Sequence, residues 1–160
     1  ERTQAWGWGG YYARIFLNVK GRESQGIVPK EDYEKLRVEL VERIKAIRGP
    51  EGEWWDTRVH RPEEIYDAQN GDYPDLMVYL DDFFWRAAGT VGHPEMFLRE
   101  NDTGPDDAVH SKEGMFIIAH AGSKRGELPR AKLTDMAPTI LGLMGVETPR
   151  DIRGRAIPTA

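Results

Sequence analysis

Apolar positions change their period along the chain, and each change predicts an element. In YARIFLNVKG, Ile15, Leu17 and Val19 alternate with Arg14, Phe16 and Asn18, the pattern of a strand with one face on a core, and Gly7, Gly9 and Gly10 form a flexible lead-in. From Pro29 the period lengthens. Tyr33, Leu36, Leu40, Val41, Ile44 and Ile47 recur at helical spacing, with Glu31–Lys35 and Glu39–Arg43 as charged pairs one turn apart. Pro29 suits a first turn and Gly49-Pro50 a stop, which predicts a helix across this span.

A less regular stretch runs from Glu51 to Tyr73, with one helical turn predicted at RPEEIY. DLMVYLDD then predicts a short apolar strand, Asp75 to Asp82, bounded by Pro74 and the acidic pair Asp81-Asp82. FFWRAAG fits a strand or a loop. From Thr90 to Gly114 the chain is a long connection of Gly, Pro, Asn and Asp, a kind of loop that in compact domains is usually functional or mobile. GMFIIAHAG is a continuous apolar run and predicts a strand covered on both faces. In LTDMAPTILGLMGVETP, Thr134 or Asp135 is the expected N-cap and Pro138 lies in the first turn. Met136, Ile140, Leu141, Leu143 and Met144 are its apolar positions, and Gly145 and Pro149 stop the helix. Strand, helix, strand, strand, helix predicts a layered α/β architecture.

With 160 residues, 39% apolar and 31% charged, the chain has the size and composition of one globular domain. A net charge of −5 with dispersed basic residues excludes the cationic stripe that tracks a nucleic-acid polymer. Cysteine is absent, so any metal must be held by His, Asp or Glu. The longest apolar run, MFIIA, is far short of the roughly 20 residues of a membrane span. The N-terminal ERTQAWGWGG carries no signal-peptide pattern, so a soluble, cytoplasmic chain is expected; its start at Glu1, with a strand arriving almost at once, suggests a piece of a longer polypeptide.

Of the four histidines, His110 stands where a loop containing Asp102, Asp106 and Asp107 meets the apolar run. An imidazole beside carboxylates is a donor set that Zn or Mn accepts, but the same residues serve any turn, so spacing alone favours a solvated loop histidine over a metal ligand. His120 is read as bonded to nearby backbone, and His60 and His93 have no identifiable partner. Asp81-Asp82 is read mainly as a strand terminator, because adjacent strand residues point to opposite faces. Trp6, Trp8, Tyr11 and Tyr12 fit a substrate-stacking wall, a core edge or a contact surface. Lys20, Arg22 and Glu23 fit a surface ion pair or a phosphate contact.

Taken in order, NVKGRESQGIV, a helix, PDLMVYLDD, NDTGPDDAVHSKEGMFIIAHAG and LTDMAPTILGLMGVETP resemble the C-terminal part of type I phosphodiesterase/nucleotide pyrophosphatase proteins of the alkaline phosphatase superfamily. The most specific pieces are Asn18 to Gly26, His110-Ser111-Lys112-Glu113-Gly114, and Asp135 to Leu141; where family members commonly carry Asp-Gly-Arg after the last helix, this chain has Arg153-Gly154-Arg155.

The resemblance implies an incomplete alkaline phosphatase-like layered α/β sheet with flanking helices. It also implies a phosphohydrolase with two divalent metals, zinc or manganese, in which a Thr or Ser attacks phosphorus. A histidine at the position of His110 is a metal ligand in that family. The nucleophile and the remaining ligands come from an N-terminal portion that nothing here matches. The expected partners are therefore that portion of the same polypeptide and a small phosphoester or nucleotide, with the chain inactive alone. A non-catalytic lid or self-association module is the alternative, since an incomplete sheet exposes an edge and an apolar face.

Overall fold

In the computed structural model, residues 3–99, 110–121 and 126–159 are described. The chain forms two compact units, Glu1–Glu113 and Gly114–Ala160.

The first unit is built on a four-stranded sheet. Its strands are β1 (Ala5–Trp8), β2 (Ala13–Leu17), β3 (Arg58–His60) and β4 (Leu76–Tyr79), in the order β1-β2-β4-β3. Every pairing is antiparallel: Ala5 lies opposite Leu17, Ala13 opposite Val78, and Val59 opposite Val78 from the other side. Leu17, Leu76 and Val78 are fully or almost fully buried, with Val19 and Val28 closing the core beyond the end of β2. Helix α1 (Tyr33–Lys45) follows a 3-10 turn at Lys30–Asp32, and α2 (Pro62–Ile65) is the single turn expected at RPEEIY.

The mixed α/β class expected from the sequence is the class observed. In α1 the positions at helical spacing, Tyr33, Leu36, Leu40, Val41 and Ile44, are all half-buried, and Glu39 pairs with Arg43 at 2.6 Å. The sequence reading missed β1 and β3. Each is too short to establish an alternation, and β1 contains a glycine that reads as lead-in.

The second unit carries a 3-10 turn at Leu133–Asp135 and α3 (Met136–Leu143). Here one expectation is corrected: described residues 114–121 of GMFIIAHAG form no strand, and Met115 and Ile117 are 88% and 82% exposed. A strand exists only where a neighbour accepts and donates its backbone hydrogen bonds, and the sheet contains no such partner for this run. On α3, Ile140 and Leu143 are likewise exposed, as is Met144 just beyond its end. No helix among the described residues is long and apolar enough to cross a membrane.

Candidate functional site

The segment Asn18 to Gly26 owes its composition to one buried carboxylate. Asp75, just before β4, is fully enclosed and accepts four hydrogen bonds: from the Leu17 amide at 2.6 Å, from Arg22 Nη1 and Nη2 at 2.7 Å each, and from the Tyr33 hydroxyl at 2.7 Å. Arg22 Nη2 also donates to the Leu17 carbonyl at 2.6 Å, and Nε to Glu23 at 2.9 Å. Burial alone would push the Asp75 carboxyl up. The bonds from Arg22, Leu17 and Tyr33 outweigh it and hold the group below the usual carboxylate range. Tyr33, half-buried and bonded to the same carboxylate, is pushed up to about 12 and stays protonated.

Around this centre the backbone turns tightly. The Asn18 carbonyl accepts the amides of both Ile27 and Val28, and a Cβ on Gly26 would stand 2.1 Å from the Val19 carbonyl oxygen. Arg22 is thus the fork that ties this turn to β4, while its bond to Glu23 is the ion pair expected of these residues. Arg37, whose side chain is 8% exposed, continues the network to Glu34 and Glu63 and so joins α1 to α2.

The motif Asp135 to Leu141 also has an architectural role. Asp135 is the N-cap of α3 by position, yet its carboxylate bonds elsewhere, accepting the amides of Arg155 at 2.9 Å and Lys132 at 2.8 Å. Those two bonds hold its carboxyl below the usual range. Thr139 donates to the Asp135 carbonyl at 2.6 Å and accepts the Ile157 amide at 2.8 Å. The tail is clasped against the helix, with Gly154 at the closest approach: a Cβ there would lie 1.9 Å from the Thr134 carbonyl oxygen. Gly154→Ala is therefore expected to cost about 1–3 kcal/mol. It should also speed amide hydrogen exchange at Arg155 and Ile157, whereas unchanged protection there would contradict the clasp.

His110 is exposed, and its ring lies flat on Tyr11, with centroids 3.7 Å apart and planes inclined by 15°. Arg86 stands 5.7 Å from the other partner in this stack, the Tyr11 ring. Stacking engages a face of the imidazole, whereas its nitrogens lie on the ring edge, and in the neutral ring one of them carries an in-plane lone pair. Two residues on, Lys112 pairs with Asp82, which Arg58 Nε approaches to 3.6 Å.

The remaining candidates resolve individually. Asp102, Asp106 and Asp107 lie outside the described residues. His120 Nδ1 is 3.0 Å from the Ala121 carbonyl, the nearby-backbone contact expected. His60 and His93 do have partners: His60 meets the edge of Tyr79 at 5.6 Å, and His93 Nε2 lies 2.6 Å from the Thr90 hydroxyl. Of the aromatics near the glycines, Trp6 stacks on Phe16, Tyr12 on Tyr79 and Trp8 beneath Arg14.

Asp81 and Asp82 do not belong to a strand, since β4 ends at Tyr79. Asp81, Asp82 and Phe83 take φ values of 45°, 49° and 77°, so their side chains do not follow strand alternation. Asp81 Oδ1 accepts the Asp56 amide at 3.0 Å, while Asp82 turns to Lys112. Among the described residues, no group of three or more His, Asp or Glu is gathered closely enough to hold a metal ion.

No protein-family profile matches the chain, and no solved structure matches it. Among curated proteins it has a partial likeness to a phosphoryl-transfer enzyme of the alkaline phosphatase superfamily. That relative is the 2,3-bisphosphoglycerate-independent phosphoglycerate mutase of Bacteroides thetaiotaomicron, 33% identical over 57 residues. The matched stretch is 36% of this chain and 11% of the mutase, so the chain spans a small part of that relative's length.

Proposed function

We propose that the chain is the C-terminal segment of a metal-dependent phosphodiesterase or nucleotide pyrophosphatase, to which it contributes His110 as one metal ligand and part of the pocket for a small phosphoester or nucleotide. The observation that carries this reading is His110 itself. The residue is exposed and its ring rests by a face on Tyr11, a contact that uses no ring nitrogen, in the very segment that resembles the phosphodiesterases. The likeness to a phosphoryl-transfer enzyme supports the broader class.

Two divalent ions, zinc or manganese, would neutralise the phosphate oxygens and stabilise both the attacking and the leaving oxygen. The attacking hydroxyl and the other donors are assigned to the preceding part of the same polypeptide. The exposed Met115, Ile117, Ile140 and Met144 suit a chain covered by that portion. A second reading, self-association, is favoured by the same exposed apolar side chains; a monomer by sedimentation at high concentration would count against it.

The natural full-length polypeptide is expected to hydrolyse bis-p-nitrophenyl phosphate or p-nitrophenyl phosphate with added Zn or Mn, and the 160-residue chain is expected to be inactive. Activity in the short chain would mean that it holds a complete site and would overturn the shared-site reading.

A further inference from the structure

We propose that Asp82 is a positioning residue for His110, acting through Lys112; the functional consequence rests on His110 being a metal ligand. At the end of β4 the chain takes three consecutive left-handed residues, Asp81, Asp82 and Phe83, a conformation costing on the order of 1–3 kcal/mol for each non-glycine residue and persisting only where the surroundings over-determine it.

Hydrogen bonds from the preceding segment supply those surroundings. The Asp56 amide donates to Asp81 Oδ1 at 3.0 Å, the Asp82 amide to the Asp56 carbonyl at 3.1 Å, and the Asp81 amide approaches the Thr57 hydroxyl at 3.4 Å. Pinned in this way, the turn aims the Asp82 carboxylate at Lys112, whose ammonium also lies 5.9 Å from the Phe83 ring. Arg58, itself held by Asp56 at 2.8 Å, flanks the same carboxylate.

Lys112 follows His110 by two residues, a reach of about 7 Å of chain at most. The segment that carries the imidazole is therefore gripped from two sides: by the Lys112–Asp82 ion pair behind it and by the face of Tyr11 against the ring. Neither grip uses a ring nitrogen. A strained turn that serves only its own strand would have no need to present a charge to another segment. Here the charge is what reaches the histidine's neighbour.

The test uses Asp82→Asn, which removes the charge while asparagine accommodates the left-handed backbone, and Lys112→Met, which removes the partner from the opposite side. The first readout is the proton resonances of the His110 ring in the 160-residue chain, assigned by comparison with His110→Ala and displaced upfield by the Tyr11 ring. Each variant is expected to lose at least half of that displacement with little change in the unfolding midpoint, and the double variant to go no further than either single one.

In the full-length polypeptide, titration with Zn alone should show about tenfold weaker binding in both variants, the effect typical of losing a group that orients a ligand. Ring resonances unmoved in both variants would overturn the proposal. If His110→Ala left Zn binding intact, the metal reading would fail, while loss of the ring displacement in Asp82→Asn would still uphold the positioning role.

Discussion

Replacing Arg22 by Met is expected to lower the stability of the sheet unit by about 3–5 kcal/mol at neutral pH, the range seen when a buried ion pair loses one partner. Methionine keeps the aliphatic stem, so the change isolates the charge. Asp75 has no exposed side-chain surface, and without Arg22 it would keep only the bonds from the Leu17 amide and the Tyr33 hydroxyl. Asp75→Ala frees Arg22, which is 39% exposed, to turn to water, yet should still destabilise the unit because the buried Leu17 amide loses its acceptor.

The pH dependence of the two proteins should differ in sign. In the natural chain the folded Asp75 carboxyl lies below its unfolded value, so its contribution is complete above the unfolded carboxylate range of about 3.9 and is lost as pH falls through the lower, folded value. In Arg22→Met burial is expected to dominate and raise the carboxyl above its unfolded value, so the deficit should be full near pH 7 and shrink as the pH is lowered and the group protonates. Urea unfolding at several pH values checks both. A loss below about 1 kcal/mol, with no such convergence, would return Arg22 to the rank of a surface ion pair.

That centre was hidden from a reading along the chain because its members are distant in sequence. Arg22 and Asp75 are 53 residues apart and Leu17 and Asp75 are 58 apart, so no local spacing joins them. Asp75 read as a strand boundary, and Arg22 read as one charge among many. Helix α1 was legible because its signal is local: half-buried positions at helical spacing, with Pro29 before and Gly49-Pro50 after. Residues 114–121 mark the opposite limit. Their hydrophobicity is real, but a strand also needs an adjacent strand, and periodicity carries no information about that partner.

The candidate site divides along the same line. His110 was legible as a histidine at a loop-to-apolar boundary, with two alternatives open and the resemblance favouring one. Its stacking partner Tyr11 was not, because the two are far apart in sequence, and neither was the Lys112–Asp82 pair, because it depends on the turn at Asp81–Phe83, whose left-handed backbone no local pattern announces. Asp135 is a similar case. A helix cap was foreseeable, but its bonds to Lys132 and to Arg155, 20 residues on, follow from the path of the tail.

The second large effect concerns the metal. His110→Ala in the full-length polypeptide is expected to reduce phosphodiester hydrolysis by at least about 100-fold, since a lost ligand disturbs the ion more than a lost orienting group, for which 10- to 100-fold is typical. Stability should change little, because the residue is exposed and rests by a ring face on Tyr11. Added Zn or Mn should restore part of the activity if the remaining ligands still bind the ion weakly.

Metal content tests the central claim most directly. Bound Zn and Mn would be measured by mass spectrometry in the full-length polypeptide and in its His110→Ala variant, after identical dialysis and with folding checked by circular dichroism. The account predicts fewer bound ions per chain in the folded variant than in the natural protein. Equal metal content, with activity unchanged, would contradict it and leave His110 as a surface histidine stacked on a tyrosine.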